Sequence, residues 1–129
     1  GKQILIVDDD SFNLTLMAKM LKACGYDSLQ ATSCQAALNL YQQNWQNIPL
    51  ILMDCEMPEI DGLQATQKLL TKYSKLAQIC RKNILVYGVT GHVGKEYRQK
   101  CLAAGMKDVI EKPVTIENLK SILSSIRHQ

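Results

Sequence analysis

The stretch ILIVDDD, from Ile4 to Asp10, places three carboxylates directly after a continuous apolar run. Four consecutive apolar residues predict a short strand that is buried on both faces of a sheet. The apolar run Leu50–Met53 ends in the same way, because Asp54 follows it. The carboxyl ends of parallel strands meet at one edge of a sheet, so the two runs together predict an acidic site at that edge.

The rest of the chain alternates between strand and helix patterns. The apolar run at residues 84–89 repeats the strand signal, and weaker runs at residues 109–110 and 28–31 predict two further strands. Amphipathic patterns predict five helices, with part of residues 74–83 extending the third: Phe12–Cys24, Cys34–Asn44, Leu63–Tyr73, His92–Ala104 and Ile116–Ile126. Five strand–helix units predict one α/β domain over residues 1–129, with a parallel sheet, right-handed crossovers and helices on both faces.

Residues that commonly begin or end helices support these boundaries. Thr32 followed by Gln35 predicts a capping box at the start of the second helix. Asp10 is expected to be the N-terminal cap of the first helix. Gly25 and Gly105 stand where glycine commonly ends a helix.

Composition excludes several classes of protein. Apolar residues make up 47% of the chain and charged residues 21%, the balance of a folded globular domain. No apolar run approaches the roughly 18 residues of a membrane span, and the opening residues do not resemble a signal peptide. The five cysteines include no CxxC pair and are expected to be free thiols in a reducing, cytoplasmic compartment. Zinc is not expected, because His92 and His128 accompany no cysteine cluster.

Charge is distributed unevenly along the chain. Residues 1–67 carry three basic and eight acidic side chains, whereas residues 68–129 carry twelve basic and four acidic ones. Most of the acids cluster beside apolar runs, which indicates a site for a hard cation. The bases are dispersed, so we expect an ordinary solvated surface and no nucleic-acid binding.

The polar residues that follow the predicted strands define a chemistry. Asp8, Asp9 and Asp54 follow the first and third strands, Thr90 follows the fourth, and Lys112 follows the fifth. Clustered carboxylates repel one another unless a cation joins them, and Mg²⁺ is the natural choice for carboxylate oxygens. A lysine beside a metal site makes sense if an anion also binds. A strand-end aspartate that accepts a phosphoryl group from a donor satisfies all of these requirements.

Four motifs follow one another along the chain: VDD at residues 7–9, MDCEMPEIDG at 53–62, VTG at 89–91 and EKP at 111–113. In their order and spacing they resemble the receiver (response-regulator) domain family of two-component signalling. The resemblance extends over about residues 3 to 127. It implies a flavodoxin-like fold with a five-stranded parallel sheet in the order 2-1-3-4-5.

The resemblance also implies roles for the acidic residues. Asp54 is similar to the family's phosphoacceptor. Asp9 resembles the direct Mg²⁺ ligand, and Asp8 resembles the acid that acts through a metal-bound water. The backbone carbonyl of Glu56 would complete the protein's share of the metal shell.

A second group of residues resembles the family's phosphoryl-binding set. Lys112 would pair with Asp54 and then with the phosphoryl oxygens. The Thr90 hydroxyl would turn toward the phosphoryl group, with the amide of Gly91 beside it. Pro113 matches the family proline that follows a cis peptide bond.

Val109 departs from the family, since many receivers carry an aromatic switch residue three positions before the lysine. Valine has few rotamers to exchange. We therefore expect the response to phosphorylation to be concentrated in the loops Met57–Gly62 and Thr90–Gly94. Phe12 and Leu16 are expected either to form an apolar docking patch near Asp54 or to be core residues.

The motif run at residues 53–62, together with Asn13, most resembles the receivers of hybrid sensor histidine kinases. The partners implied are a histidine kinase core and a histidine phosphotransfer domain. We expect this domain to be excised from a longer protein, monomeric and cytoplasmic. In the parent protein it would belong to the cytosolic part of a membrane-bound sensor kinase, and it would not itself contact the membrane. The alternative is a free-standing or differently fused response regulator.

Two other functions compete with a phosphoacceptor domain. Asp8 and Asp10 form a DxD motif, as in phosphatases with an aspartate nucleophile. Ser11 and Phe12 follow this motif, where such phosphatases usually have a glycine, and the length leaves no room for a cap domain. We therefore expect the domain to catalyse nothing beyond its own phosphorylation and dephosphorylation. The second competing function is that of a degenerate receiver used only for docking. The presence of the complete set of site residues argues against it: Asp8, Asp9, Asp54, Thr90 and Lys112.

Overall fold

The computed structural model describes residues 1–58, 60–80, 83–92 and 94–126. Position 59 of the loop 57–62, position 93 of the loop 90–94 and His128 therefore lie outside the described residues. The strands are β1 (Gln3–Val7), β2 (Asp27–Ala31), β3 (Ile51–Asp54), β4 (Val86–Thr90) and β5 (Asp108–Glu111). The helices are α1 (Ser11–Ala23), α2 (Cys34–Asn44), α3 (Gly62–Cys80), α4 (Lys95–Ala103) and α5 (Ile116–Ile126), and a 3-10 turn at Trp45–Asn47 follows α2.

The five strands form one parallel sheet in the order β2-β1-β3-β4-β5. At its carboxyl end, β1 pairs Val7 with Ala31 of β2 and with Met53 of β3. Asp54, the last residue of β3, pairs with Val89 of β4. The flavodoxin-like fold predicted from the sequence is therefore confirmed.

The central strands β1, β3 and β4 are covered on both faces of the sheet, which explains their continuous apolar runs. On one face Leu5, Val7, Ile51 and Met53 pack against α2, α3 and the buried Cys101 of α4. The other face packs against α1 and α5, and its core residues are Ile4, Ile6, Leu14, Leu21, Leu50, Leu52, Leu119, Leu123 and Ile126. Because both faces of these central strands are covered, their ends are where they offer polar groups to a ligand.

Helix boundaries differ from the sequence predictions in two places. The expected cap at Thr32 is wrong, because the Ser33 hydroxyl accepts the Ala36 N–H at 3.1 Å and caps α2. Helix α4 begins at Lys95 instead of His92, because the His92 N–H donates to the Thr90 side chain and its backbone stays in the loop.

The other boundary signals are confirmed. Asp10 caps α1, since its side chain accepts the Phe12 N–H at 2.9 Å. Gly25 and Gly105 have φ angles of 91° and 107°, in the left-handed region that favours glycine at helix ends. The third helix continues to Cys80, as the pattern in residues 74–83 suggested.

Among the side chains that the structure describes, four cysteines are free thiols, and Cys34, Cys55 and Cys101 of these are buried. Their burial agrees with their use as small apolar groups in the core. A search of the described residues finds no helix with both the length and the apolar character needed to cross a membrane.

Candidate functional site

The candidate site lies at the carboxyl ends of β1, β3, β4 and β5. Strand β1 lies between β2 and β3, so the chain winds in opposite directions on its two sides. Open α/β sheets bind ligands at such a switch point, outside the carboxyl ends of the strands. The predicted site residues reach this edge from four separate segments of the chain.

Three carboxylates meet at the ends of β1 and β3. Asp8, Asp9 and Asp54 each offer an oxygen within 4.8 Å of the others. Asp54 is buried, with 3% of its surface exposed, whereas Asp9 is exposed. Burial raises the pKa of Asp8 to about 6, and the charge of Asp54 adds to this rise.

The donor set fits a hard divalent cation. Carboxylate oxygens are the ligands that Mg²⁺ prefers, and exposed Asp9 leaves room for the waters that this ion retains. The backbone of Glu56 lies beside the cluster, because its N–H donates to Oδ1 of Asp54 at 3.0 Å. A cation among these oxygens would offset the repulsion between Asp8 and Asp54, which adds to the rise that burial causes in the pKa of Asp8.

Lys112 lies on the other side of the buried carboxylate. Its Nζ is 2.9 Å from Oδ1 of Asp54. Burial alone would lower the pKa of Lys112, but the hydrogen bond to Asp54 and the surrounding carboxylates raise it overall. The Lys112 N–H donates to the Thr90 carbonyl at 2.8 Å, and the Lys112–Pro113 peptide bond is cis.

Thr90 and Gly91 are next to this ion pair: Thr90 is the last residue of β4, and so does not follow the strand as predicted, and Gly91 begins the loop after it. Thr90 is fully buried, and its hydroxyl accepts the His92 N–H at 3.0 Å. The Gly91 N–H donates to the side-chain Oε1 of Glu56 at 2.9 Å. The same oxygen lies 3.7 Å from Nζ of Lys112. The structure thus brings the predicted residues together and adds a carboxylate among them.

The side chain of Glu56 is a member of the site that the sequence did not predict, because only its backbone carbonyl was expected there. The loop after β3 folds back closely on the strand end. A Cβ atom at Gly62 would collide with the backbone of Asp54 and Cys55, so only glycine fits there. The one indication in the sequence was that Glu56 comes only two residues after Asp54, so its side chain could be expected near the site.

Tyr97 of α4 was also missed. Its ring packs on His92, with centroids 4.6 Å apart, and burial raises the pKa of its hydroxyl, with a smaller contribution from the nearby thiol of Cys55. Val109 on β5 is half-buried and packs against the same core as Tyr97. An aromatic ring therefore adjoins the Thr90 loop, although it comes from α4 and not from β5.

Phe12 and Leu16 are exposed on α1, with 73% and 49% of their surfaces accessible. The alternative that they are core residues is therefore wrong. Leu16 also lines an apolar cavity of about 360 Å³ that extends to Asp54 and Val114. Exposure of this apolar pair beside the site agrees with the expected docking patch, which stays a prediction.

Comparison with known proteins identifies the family. The profile of the response regulator receiver domain matches residues 4–124. The chain belongs to this family. It is a receiver domain of two-component signalling, as the resemblance predicted.

Among the curated relatives are hybrid sensor kinases. Sensor histidine kinase RcsC of Escherichia coli K12 is 35% identical over 121 residues, covering 94% of this chain and 12% of RcsC. Sensor protein EvgS of the same organism is 34% identical over 126 residues, covering 98% of this chain and 10% of EvgS. Hybrid signal transduction histidine kinase C of Dictyostelium discoideum is 31% identical, covering 94% of this chain and 10% of that protein. The receiver spans about a tenth of the length of these relatives.

Solved structures share the fold. The receiver domain of the Arabidopsis thaliana histidine kinase CKI1, complexed with Mg²⁺ and BeF₃⁻, is 26% identical with a TM-score of 0.80, covering 100% of this chain and 91% of that one. The CheX–CheY–BeF₃–Mg²⁺ complex of Borrelia burgdorferi is 22% identical with a TM-score of 0.83, covering 98% of this chain and 89% of that one.

Proposed function

We propose that this receiver domain accepts a phosphoryl group from a phosphohistidine onto Asp54, with Mg²⁺, within a phosphorelay. The observation that carries the proposal is the position of Asp54. Its carboxylate is buried at a strand end, between two further aspartates and the Nζ of Lys112. A buried carboxylate with negatively charged aspartates on one side and a positively charged lysine on the other suits a nucleophile that must act beside both a metal ion and an incoming anion.

In the proposed transfer, a carboxylate oxygen of Asp54 attacks phosphorus in line with the leaving imidazole. The O–P bond forms while the P–N bond to histidine breaks, and the departing imidazole nitrogen keeps the bonding electron pair. The product is an acyl phosphate on Asp54. Lys112 then exchanges its bond with Oδ1 of Asp54 for bonds with the phosphoryl oxygens.

The metal-binding role is assigned to Asp9 as direct ligand, Asp8 through a water, Asp54, and the backbone carbonyl of Glu56. Bound Mg²⁺ would neutralise charge on the phosphoryl oxygens during transfer. Two observations support this assignment: the three clustered carboxylates, and the Mg²⁺ bound by the related CKI1 receiver. Asp8, whose pKa is raised by burial, becomes a better ligand once a cation favours its charged form.

The phosphoryl-binding role is assigned to Thr90, Gly91 and Lys112. The Thr90 hydroxyl is at the carboxyl end of β4 and the Gly91 N–H follows it, both beside the ion pair. Both groups can donate to the oxygens of a bound phosphoryl group. They give the phosphorylated state contacts that an empty site lacks, which is what shifts a conformational equilibrium.

The context that we propose is a hybrid histidine kinase, with its kinase core and a histidine phosphotransfer domain as partners. The support is the set of curated relatives, which are sensor kinases many times longer than this chain. The domain itself would act as a monomer on the cytosolic side. It would catalyse nothing beyond its own phosphorylation and dephosphorylation.

Incubation with a small phosphodonor such as acetyl phosphate tests the proposal. With Mg²⁺ the intact mass should rise by one phosphate, and Asp54→Asn should abolish this rise. A chelator and Asp9→Ala should each prevent labelling, whereas the helix-cap variant Asp10→Ser should retain it. Undiminished labelling of Asp54→Asn would refute the site assignment, and steady turnover of a phosphomonoester would favour the phosphatase alternative.

A further inference from the structure

The side chain of Glu56 binds the donors that a phosphoryl group would need. Its Oε1 accepts the Gly91 N–H at 2.9 Å and lies 3.7 Å from Nζ of Lys112. The Glu56 backbone is fixed at the same edge, because its N–H donates to Asp54. Both ends of this residue therefore face the site.

We infer that Glu56 is an internal competitor of the phosphoryl group, an inference that rests on the function proposed above. A carboxylate and a phosphoryl group are both oxyanions, and they bind the same kinds of donor. The Gly91 N–H is a single donor and makes one good hydrogen bond at a time. Donation of the Gly91 N–H to a phosphoryl group on Asp54 then requires the Glu56 carboxylate to leave Gly91.

The position of Glu56 makes this exchange feasible. The side chain is 36% exposed, so it can turn into water without moving the core. A phosphoryl group on Asp54 would also repel the carboxylate, since both carry negative charge. The unphosphorylated site is thereby occupied by its own carboxylate, and the phosphorylated site expels it.

The magnitude of the competition follows mainly from the bond to Gly91. The contact with Lys112 is long and partly exposed, and such ion pairs contribute little. Breaking one net hydrogen bond weakens binding of a phosphoryl group by about two- to tenfold. Variants that lack the Glu56–Gly91 bond should therefore bind a phosphoryl mimic more tightly by that factor.

Three substitutions separate competition for Gly91 from the effect of charge alone. Glu56→Asp keeps the charge but is one methylene shorter and cannot reach Gly91. Glu56→Gln removes the charge but keeps an oxygen that can accept the Gly91 N–H. Glu56→Ala removes both, and Glu117→Gln on α5 is the matched control, because Glu117 is an exposed carboxylate outside the site.

The experiment is an NMR titration of the Mg²⁺-loaded domain with beryllofluoride. Before the titration, the Gly91 amide proton should move upfield in Glu56→Ala and Glu56→Asp, whereas Glu56→Gln should stay closer to wild type. The beryllofluoride midpoint should fall about two- to tenfold in the Ala and Asp variants, less in Glu56→Gln, and not in Glu117→Gln.

Three results would overturn the inference. The first is an unchanged chemical shift of the Gly91 amide proton in Glu56→Ala, and the second is an equal beryllofluoride midpoint in all variants. The third is a midpoint that falls in Glu56→Gln but not in Glu56→Asp, because that pattern depends on charge alone. Wild type that binds no beryllofluoride would refute the proposed function, whereas wild-type binding with equal midpoints would refute only the role of Glu56.

Discussion

The Nζ of Lys112 and Oδ1 of Asp54 are 2.9 Å apart, although they belong to segments that the sheet separates by a whole strand. Asp54 ends β3, Lys112 follows β5, and β4 lies between them. The lysine therefore reaches over the end of β4 to neutralise a carboxylate that is almost completely buried. An isolated buried charge is costly, so the ion pair with Lys112 offsets part of the cost of burying the Asp54 carboxylate.

Replacement of Lys112 should destabilise the metal-free domain. Lys112→Ala leaves Asp54 buried without its partner, and we expect a loss of about 1–2 kcal/mol in the free energy of unfolding, since the lysine is partly exposed. Urea denaturation in the presence of chelator measures this loss, with Lys120→Ala on α5 as the control. In an Asp54→Asn background the cost should nearly vanish, and a cost of the same size there would contradict the ion-pair explanation.

Stability should depend on pH through Asp8. The pKa of this carboxyl rises from its ordinary value of 3.8 to about 6, chiefly because of burial. The folded state then binds more protons than the unfolded state between about pH 4 and pH 6, so stability falls as the pH rises through this window. After allowance for solvent screening, ionisation of Asp8 lowers the free energy of unfolding by about 1 kcal/mol at pH 7.

Unfolding experiments with chelator at several pH values test this dependence. Asp8→Asn should be more stable than wild type at pH 7 and similar to it near pH 4. Mg²⁺ should reduce the difference at pH 7, because it stabilises the charged carboxylate. A wild-type advantage over Asp8→Asn at pH 7 without metal would show that the sign is wrong.

The buried strands and the site could be predicted from sequence because one physical cause creates both signals. Strands such as β1 and β3 are covered on both faces, so they appear as unbroken apolar runs that end abruptly at aspartates. The parallel order then brings those ends to one edge. Identification of Asp8, Asp9 and Asp54 as neighbours needed no knowledge of side-chain contacts.

Features that depend on local competition between similar groups could not be predicted. Thr32 and Ser33 both carry hydroxyls, and only the backbone geometry decides that Ser33 caps α2. The contact of the Glu56 side chain with Gly91 depends on the tight loop after β3. Tyr97 reaches His92 only because α4 starts three residues later than its amphipathic pattern indicates.

Phosphotransfer from a protein partner should depend on the exposed apolar residues of α1. Phe12→Ser should slow transfer from a histidine phosphotransfer domain roughly five- to tenfold if Phe12 is a binding hot spot. Transfer from acetyl phosphate should stay unchanged, because Asp54 and the metal ligands are untouched. Ile116→Ser, an exposed apolar residue on α5, is the control, and equal slowing of both donors by Phe12→Ser would contradict a docking role.

The conformational response should be concentrated in the loops after β3 and β4. Val109 has no aromatic ring to reorient, so we expect large amide shifts with beryllofluoride in residues 57–62 and 90–94. The ring contact between Tyr97 and His92 joins α4 to the loop after β4, so a change in that loop can reach this one position of α4. Large shifts over the outer faces of residues 95–104 and 116–126, with little change near Met57 or Thr90, would contradict a restricted switch.

The central claim is that Asp54 is the phosphoacceptor, and reduction of the acyl phosphate tests it most directly. The domain is incubated with acetyl phosphate and Mg²⁺, treated with borohydride, digested and analysed by peptide mass spectrometry. Borohydride converts a phosphorylated aspartate to homoserine, which distinguishes the three clustered carboxylates. We predict homoserine at position 54 alone, and none when chelator replaces Mg²⁺. Homoserine at position 8 or 9 without any at position 54, or equal amounts with and without metal, would contradict the account.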